Sequence, residues 1–323
     1  MKHSINIALL YGGTSSERDI SIQSGKNVGE SLKKSGHNVT YIDPKNETDL
    51  DKLGSEKFDV AFIALHGKGG EDGSIQAFLE DLNIPYTGSK VESSKNSIDK
   101  AKSKLIYDKA EIPNAEYFII EKNKDYNLEE LIAKTGEDVV VKAATEGSSI
   151  GLYFANGVDQ IEKEIEKALK FDETVVVEKR ISGREFTVAV LEFPKDFIEK
   201  NKDKLNFEDD AAALPVIEII PKNEYYDFAS KYDEGGSKHV CPAEIDEGLA
   251  NKLKEAALCA HKALGCSGFS RTDFRVDEQN NIFALETNTI PGMTATSLVP
   301  DAARAIGISF DELCELIIDY ELS

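Results

Sequence analysis

Apolar and polar positions along this chain alternate in two rhythms, one near two residues and one near three and a half, and the switches between them mark its elements. Residues 5–11 form an apolar run that stops at Gly12 and Gly13. Residues 19–34 follow with helical spacing and 38–43 give a second strand, so the chain opens as a β-α-β unit. A third strand over 58–66 leads through the loop G-K-G-G-E-D-G into a helix over 74–82. Together these predict a small parallel sheet flanked by helices, with ligands expected beyond the carboxyl ends of its strands, near Glu17 and His66. His66 reads equally as a structural histidine at a strand end. A lysine-rich helix over 93–110 links this lobe to the next, and on local grounds its Lys100 is a solvated charge.

From Tyr117 onward strands and helices alternate through 138–143, 152–155, 158–171 and 174–181. The loop A-A-T-E-G-S-S-I-G offers backbone amides at Gly147, Ser148 and Ser149 to phosphate oxygens, and Lys142 on the strand before it adds a point charge. A polar hairpin turn is the plainer reading of the same loop. Strand 174–181 ends in a bend at Ser182 and Gly183 before Glu185, which suits a hinge whose exposed backbone could hydrogen-bond a flat heterocycle. Residues 192–213 are highly charged and poorly periodic, as expected of a surface excursion between two strands. A strand over 214–220 precedes a loop containing Lys231, Tyr232, Gly235 and Gly236, either a mobile lid or an ordinary loop. Helices over 246–264, 298–306 and 310–322 complete the pattern.

The stretch from Arg271 to Ser297 ties these parts together. Over 270–276, Thr272, Phe274 and Val276 fall on one face and Arg271, Asp273 and Arg275 on the other. Over 282–288, Phe283, Leu285 and Thr287 oppose Glu286 and Asn288. A two-residue turn centred on Gln279 and Asn280 would pair the strands antiparallel, with Asp273 opposite Glu286 and Arg271 opposite Asn288. Like charges directly opposite destabilise a ladder unless a cation sits between them, and two carboxylates with one amide suit magnesium. On this segment alone, a metal site of Asp273, Glu286 and Asn288 and a solvated charged face both remain open.

Length and charge narrow the function. A chain of 323 residues exceeds what one core usually serves, so two or three domains with clefts between them are expected. Lys and Arg number 38 against 59 Asp and Glu, a net charge of −21, which argues against nucleic acid or an anionic membrane surface and for a small-molecule substrate. No apolar stretch approaches the ~18 residues of a membrane span, so a cytoplasmic protein is expected. Cys241, Cys259, Cys266 and Cys314 lack paired spacing and read as reduced thiols. The glycines after the first strand do not make the dinucleotide fingerprint G-x-G-x-x-G.

Taken in order, G-G-T-S-S-E-R, L-H-G-K-G-G-E-D-G, D-K at Asp99 and Lys100, E-G-S-S-I-G, E-K-R-I-S-G-R-E-F-T-V, S-K-Y, G-F-S-R-T-D, L-E-T-N-T-I-P-G-M-T and S-L-V-P resemble the D-alanine–D-alanine ligase family of ATP-grasp enzymes over nearly the whole chain. The resemblance implies an α/β fold: a Rossmann-like parallel-sheet lobe at 1–96, a central ATP-grasp lobe at 97–183 and a C-terminal ATP-grasp lobe at 184–323. It implies ligation of two D-alanine molecules through a D-alanyl phosphate for peptidoglycan precursors, with ATP as co-substrate and two magnesium ions, or manganese in their place. A homodimer through the first lobe is also implied, while the charge balance already speaks for no nucleic-acid or membrane partner.

By the same resemblance Lys100 and Lys142 hold the ATP phosphates, Ser148 and Lys231 also bind ATP, Glu178, Lys179 and Ile181 line the adenine pocket, and Glu185 binds ribose. Asp273, Glu286 and Asn288 become the metal ligands. Glu17 would bind the ammonium of the first D-alanine and His66 its carboxylate. Ser297 and the Gly292 amide would serve the second substrate and the developing oxyanion, with Arg271 bridging them. Glu17, Ser148 and Tyr232 would hold a lid shut. Tyr232 after Lys231 implies a dipeptide product rather than an ester, although His239 lies in the same loop. The A-A-T before E-G-S-S departs from relatives that often carry a proline after the lysine, and 192–213 is a second departure; neither removes a matched residue. A ligase taking D-serine or D-lactate, and a non-catalytic nucleotide binder on the same fold, are the other readings.

Overall fold

Three sheets carry the chain in the computed structural model, which describes residues 3–202, 205–221, 237–294 and 296–323. In the first, β1 (Asn6–Leu10) lies parallel between β2 (Asn38–Ile42) and β3 (Val60–Ile63). Its apolar strands are covered on both faces. Ile7 and Leu9 meet Val28 and Leu32 of α1 (Arg18–Lys34), while Ala8 and Leu10 join a cluster with Leu53 of α2 (Glu47–Ser55) and Ile75 and Leu79 of α3 (Ser74–Asp81). Burial on both sides explains why β1 reads as a run rather than an alternation.

Residues 93–110 form two helices, not the single one expected: α4 (Val91–Ile98) and α5 (Lys100–Lys109) break at Asp99. Asp99 is extended, and its carboxylate accepts hydrogen bonds from the amides of Ala101 and Lys102 at 3.0 and 3.2 Å. A side chain that satisfies the first amides of a new helix competes with continuation of the old one. The break brings the Lys100 amide to the Ala144 carbonyl, at 2.8 Å.

The second sheet is antiparallel, in the order β4 (Tyr117–Glu121), β7 (Thr174–Lys179), β5 (Asp138–Ala143) and β6 (Leu152–Asn156). Leu131 of α6 (Leu128–Thr135) and Ile161 and Ile165 of α7 (Val158–Ala168) fill its core. The third sheet is built on the long strand β8 (Arg184–Glu192). β13 (Phe269–Val276) runs antiparallel along one edge of β8, with β14 (Ile282–Asn288) beyond it. The other edge is shared: β10 (Ala211–Ala213) pairs with 190–192 and β11 (Ile217–Pro221) with 185–187, flanked by β9 (Phe207–Glu208) and β12 (Ser237–Val240). Helix α9 (Glu247–Leu264) packs on one face of this sheet. On the other, α10 (Leu298–Ala305) and α11 (Phe310–Glu321) join its core to that of the first sheet.

The stretch 192–213 therefore differs from a surface excursion. It carries α8 (Lys195–Asn201), β9 and β10, with Ala211 and Ala212 buried. Phe193 stacks on Phe197 at 4.7 Å and meets Phe207 edge-on at 5.5 Å, so three aromatics among many charges tie the stretch to the core shared by the first and third sheets.

The hairpin differs in a way that conceals itself. Its turn has three residues, Glu278 to Asn280, with Asn280 left-handed at φ 61°, and Phe274 faces Ala284. A bulge between the Asp273 and Phe274 pairs, with Leu285 as the extra residue, then restores the expected pairing of Asp273 with Glu286 and Arg271 with Asn288. The bulge also breaks the alternation, since Leu285 and Glu286 line one cavity while Ala284 enters the core. Cys241, Cys259, Cys266 and Cys314 are free thiols. No helix among the described residues is long and apolar enough to cross a membrane.

Candidate active site

Two cavities open where the three sheets meet. The larger, about 480 Å³, lies between the second and third sheets and is lined by Lys142, Glu178, Lys179, Ile181, Glu185 and Asp273. The smaller, about 150 Å³, lies between the first sheet and the hairpin and is lined by Glu17, His66, Arg271, Asn288, Gly292 and Ser297. Lys100, Glu146, Gly147, Ser148 and Glu286 line both, so the cavities share a wall. Lys231, Tyr232, Gly235 and Gly236 of the loop expected as a lid lie outside the described residues, whereas His239, expected in the same loop, stands on β12 and lines the smaller cavity.

On the side of the larger cavity, Lys142 forms an ion pair with Glu178 Oε1, and Lys104 Nζ stands 2.7 Å from Glu178 Oε2. Burial pushes the Glu178 carboxyl up, but the ammonium groups of Lys104 and Lys142 outweigh it and hold the carboxyl down at about 2. Lys100 Nζ donates to the Glu146 carbonyl at 2.8 Å and stands 3.7 Å from Glu286 Oε2. At the bend after β7, Gly183 has φ 138°, and a Cβ there would lie 2.0 Å from the Val276 carbonyl oxygen. Only glycine lets the bend rest against the end of β13. Beside it Glu185 pairs with Arg275 at 3.0 Å.

The loop before β6 is shaped rather than a plain polar turn. Ser148 and Ser149 are left-handed at φ 49° and 63°, a cost that the surrounding contacts must outweigh. Thr145 donates to Asp172 through its amide at 2.6 Å and its hydroxyl at 2.8 Å. Ser148 Oγ donates to Glu17 Oε1, which joins the second sheet to the first. Glu17 is itself 8 % exposed.

His66 is held on both ring nitrogens. Its Nδ1 donates to the Ile290 carbonyl at 3.0 Å, which fixes the tautomer, and its Nε2 lies 3.1 Å from Ser24 Oγ. Ser24 Oγ in turn accepts from the Met293 amide at 3.2 Å, so His66 anchors the 290–293 turn that carries Gly292. Sequence reasoning missed Glu71, whose Oε1 is 3.6 Å from His66 Nδ1 and accepts from the Gly67 amide at 3.1 Å. Burial pushes its carboxyl up. The one signal available was an acidic residue inside a glycine loop just after a strand-end histidine.

On the hairpin, Asp273 is 6 % exposed and accepts from Thr187 Oγ1 at 2.5 Å and from Arg271 Nε and Nη2 at 2.9 and 2.8 Å. Asn288 Oδ1 accepts from the Ile290 amide at 2.9 Å. Beneath them the Tyr107 hydroxyl meets Thr287 Oγ1 at 2.7 Å and Thr287 meets Thr272 at 2.9 Å, which fixes α5, and so Lys100, to the hairpin. Ser297 precedes α10, and its Oγ accepts from the Thr294 amide at 2.9 Å. A Cβ on Gly292 would lie 2.8 Å from that oxygen.

A parallel-sheet lobe followed by two antiparallel sheets that close on a lysine-lined cavity is the architecture of the ATP-grasp ligases. Within that class, residues 44–89 and 106–319 match the family profiles described as D-ala D-ala ligase N-terminus and D-ala D-ala ligase C-terminus, and the chain belongs to the D-alanine–D-alanine ligase family. It is 42 % identical to the D-alanine–D-alanine ligase of Halalkalibacterium halodurans over 98 % of this chain and 99 % of that one. With the Acinetobacter baylyi ligase it shares 40 % identity over 98 % and 96 %. The crystal structure of the Bacillus anthracis ligase complexed with ATP superposes with a TM-score of 0.83 at 31 % identity, covering 99 % and 98 % of the two chains. That of the VanG D-Ala:D-Ser ligase of Enterococcus faecalis gives 0.84 at 28 %, covering 99 % and 100 %.

Proposed function

We propose that this protein joins two molecules of D-alanine into D-alanyl-D-alanine, a peptidoglycan precursor, and converts one ATP to ADP and phosphate in doing so. The observation that carries this reading is the shared wall: a cavity of nucleotide size adjoins a smaller one across Lys100, Ser148 and Glu286. A carboxylate held in the smaller cavity can therefore meet the terminal phosphate of a nucleotide held in the larger.

In the larger cavity Glu178, Lys179, Ile181 and Glu185 would receive the adenosine, and Lys100, Lys142 and the amides around Ser148 the phosphates. In the smaller one Glu17 would bind the ammonium of the first D-alanine, with His66 holding the adjoining turn against it. The carboxylate of that D-alanine attacks the γ-phosphorus, ADP leaves, and an acyl phosphate results. The second D-alanine, seated by Ser297 at the amino end of α10, loses its ammonium proton. Its amine then attacks the acyl carbon, and phosphate departs from the tetrahedral intermediate. Arg271 and the Gly292 amide face the developing oxyanion, a contribution of roughly 3 to 4 kcal/mol per donor in comparable sites.

Asp273, Glu286 and Asn288 fit a magnesium ion, because two facing carboxylates and an amide are the hard oxygen donors it accepts. Magnesium characteristically completes its shell with substrate phosphates and water rather than with an all-protein cage. Magnesium would supply charge neutralisation of the transferring phosphoryl group. Manganese suits the same donors.

The test is turnover with ATP, magnesium and D-alanine, scoring ADP, phosphate and dipeptide together, with D-serine and D-lactate as competing acceptors. Equal amounts of all three products, and dipeptide in excess over mixed products, are expected. ADP release without dipeptide, or a predominant mixed product, would overturn the reading.

A further inference from the structure

Lys104 lies one turn past Lys100 on α5 and is 1 % exposed, among the largest fully buried side chains of the protein. It lines neither cavity. Its Nζ stands 2.7 Å from Glu178 Oε2, 3.4 Å from Asn114 Oδ1 and 5.6 Å from the centre of the Tyr117 ring. The other oxygen of Glu178 holds Lys142, which does line the larger cavity. One buried carboxylate is thus shared by two ammonium groups, one more than its own charge requires.

That surplus has a purpose if Lys142 has to leave. Removing the partner of a buried charge is costly, because the charge that remains is uncompensated. With Lys142 as sole counter-ion, turning its Nζ towards a phosphate would strand Glu178, and the pair would resist the ligand. With Lys104 in place, Glu178 stays paired whichever way Lys142 points.

We propose that Lys104 is a positioning residue that keeps Glu178 fixed and paired, so that Lys142 is released to the phosphates of an entering nucleoside triphosphate. The proposal rests on the ATP reading above. Lys104 acts through Glu178 and Lys142 and touches no substrate.

The experiment compares wild type, Lys104→Met, Lys104→Arg, Glu178→Gln and the double variant Lys104→Met/Glu178→Gln. It measures ATP binding by calorimetry with magnesium and without D-alanine, then KM for ATP and for D-alanine. Lys104→Met is expected to weaken ATP binding by about ten-fold or more, the scale of one charge-assisted contact, with KM for D-alanine unchanged. Lys104→Arg should recover part of the loss. The double variant should bind ATP more tightly than Lys104→Met, since Lys142 no longer has a carboxylate to hold it, and should match Glu178→Gln. ATP binding by Lys104→Met at the wild-type level, with a lower melting temperature as its sole change, would reduce Lys104 to a packing residue and overturn the proposal. If Lys104→Met does not fold, weaker binding by the double variant than by Glu178→Gln overturns it instead. Failure of the wild type to bind ATP would sink the functional reading itself, which separates the two.

Discussion

Asp273 stands opposite Glu286 across β13 and β14, and the two carboxylates are compensated by different means. Asp273 is held by Arg271 and Thr187 inside the strand pair, whereas Glu286, in the wall common to both cavities, has Lys100 3.7 Å away. Two facing anions are tolerated because each borrows a cation from elsewhere. Arg271, which pairs with Asp273, also lines the smaller cavity.

From this asymmetry Glu286→Gln and Asp273→Asn should differ in stability while agreeing in kinetics. Each is expected to lower kcat on the order of 100-fold, a few kcal/mol of lost phosphoryl stabilisation. Glu286→Gln should melt within about 2 °C of wild type, whereas Asp273→Asn should lose several degrees, since it leaves Arg271 half-paired at a cost of roughly 1–3 kcal/mol. Steady-state rates across a magnesium titration, paired with thermal melts, decide this; unchanged rate and metal dependence in either variant would refute the ligand assignment.

Ser148→Ala removes the hydroxyl that joins the loop to Glu17. KM for the first D-alanine should rise and kcat fall, together by about 10- to 100-fold, the range of a hydrogen bond to a charged partner. ATP binding alone should hardly change. Kinetics at saturating ATP check this, and a loss confined to ATP affinity would count against it.

Gly183→Ala meets the Val276 carbonyl oxygen 2.0 Å from its new Cβ and must keep a φ that side chains rarely adopt. A loss of about 3 kcal/mol or more, seen as a fall of several degrees in melting temperature, is expected. Added ATP should protect the variant less than wild type, because the bend borders the larger cavity.

Acid should act partly through Asp43, which is 4 % exposed and accepts from the amides of Gly13 and Lys45, each at 3.0 Å, and from Arg18 at 2.7 Å. Burial pushes its carboxyl up, but Arg18 and the two amides outweigh this and hold it below the usual 3.8. A folded-state value below the unfolded one contributes stability that is present above the unfolded value and fades as pH falls through the folded one. Asp43→Asn should therefore be less stable near neutrality, with the gap to wild type narrowing as pH falls from about 4 downward. Melting curves across that range check it; a constant gap would show that the charge of Asp43 is irrelevant.

The sequence made some of this plain and concealed the rest for physical reasons. Strands covered on both faces and amphipathic helices announce themselves by pattern, so β1 to β3, α1 and α9 appear where expected. The pairing of Asp273 with Glu286 was read from a two-residue turn that does not exist; a longer turn and the Leu285 bulge shift the register in opposite directions and cancel. Asp99 is a helix breaker only in company with amides it can cap, which a stretch of lysines hides. Lys104 and Glu71 lie inside because a partner waits there, and a pairing between distant residues leaves no periodic trace. In 192–213 the charge count outweighed three phenylalanines that pack together.

The wall common to the two cavities also fixes what kind of traffic the reaction involves. On the proposed reading, an activated carboxyl formed against Ser148 and Lys100, which line both cavities, would already lie in the compartment where the second amine arrives, and nothing would have to be handed over. Residence, not transport, then governs the yield: the acyl phosphate survives or is wasted according to how long it waits, and the concentration of the second amino acid sets that wait.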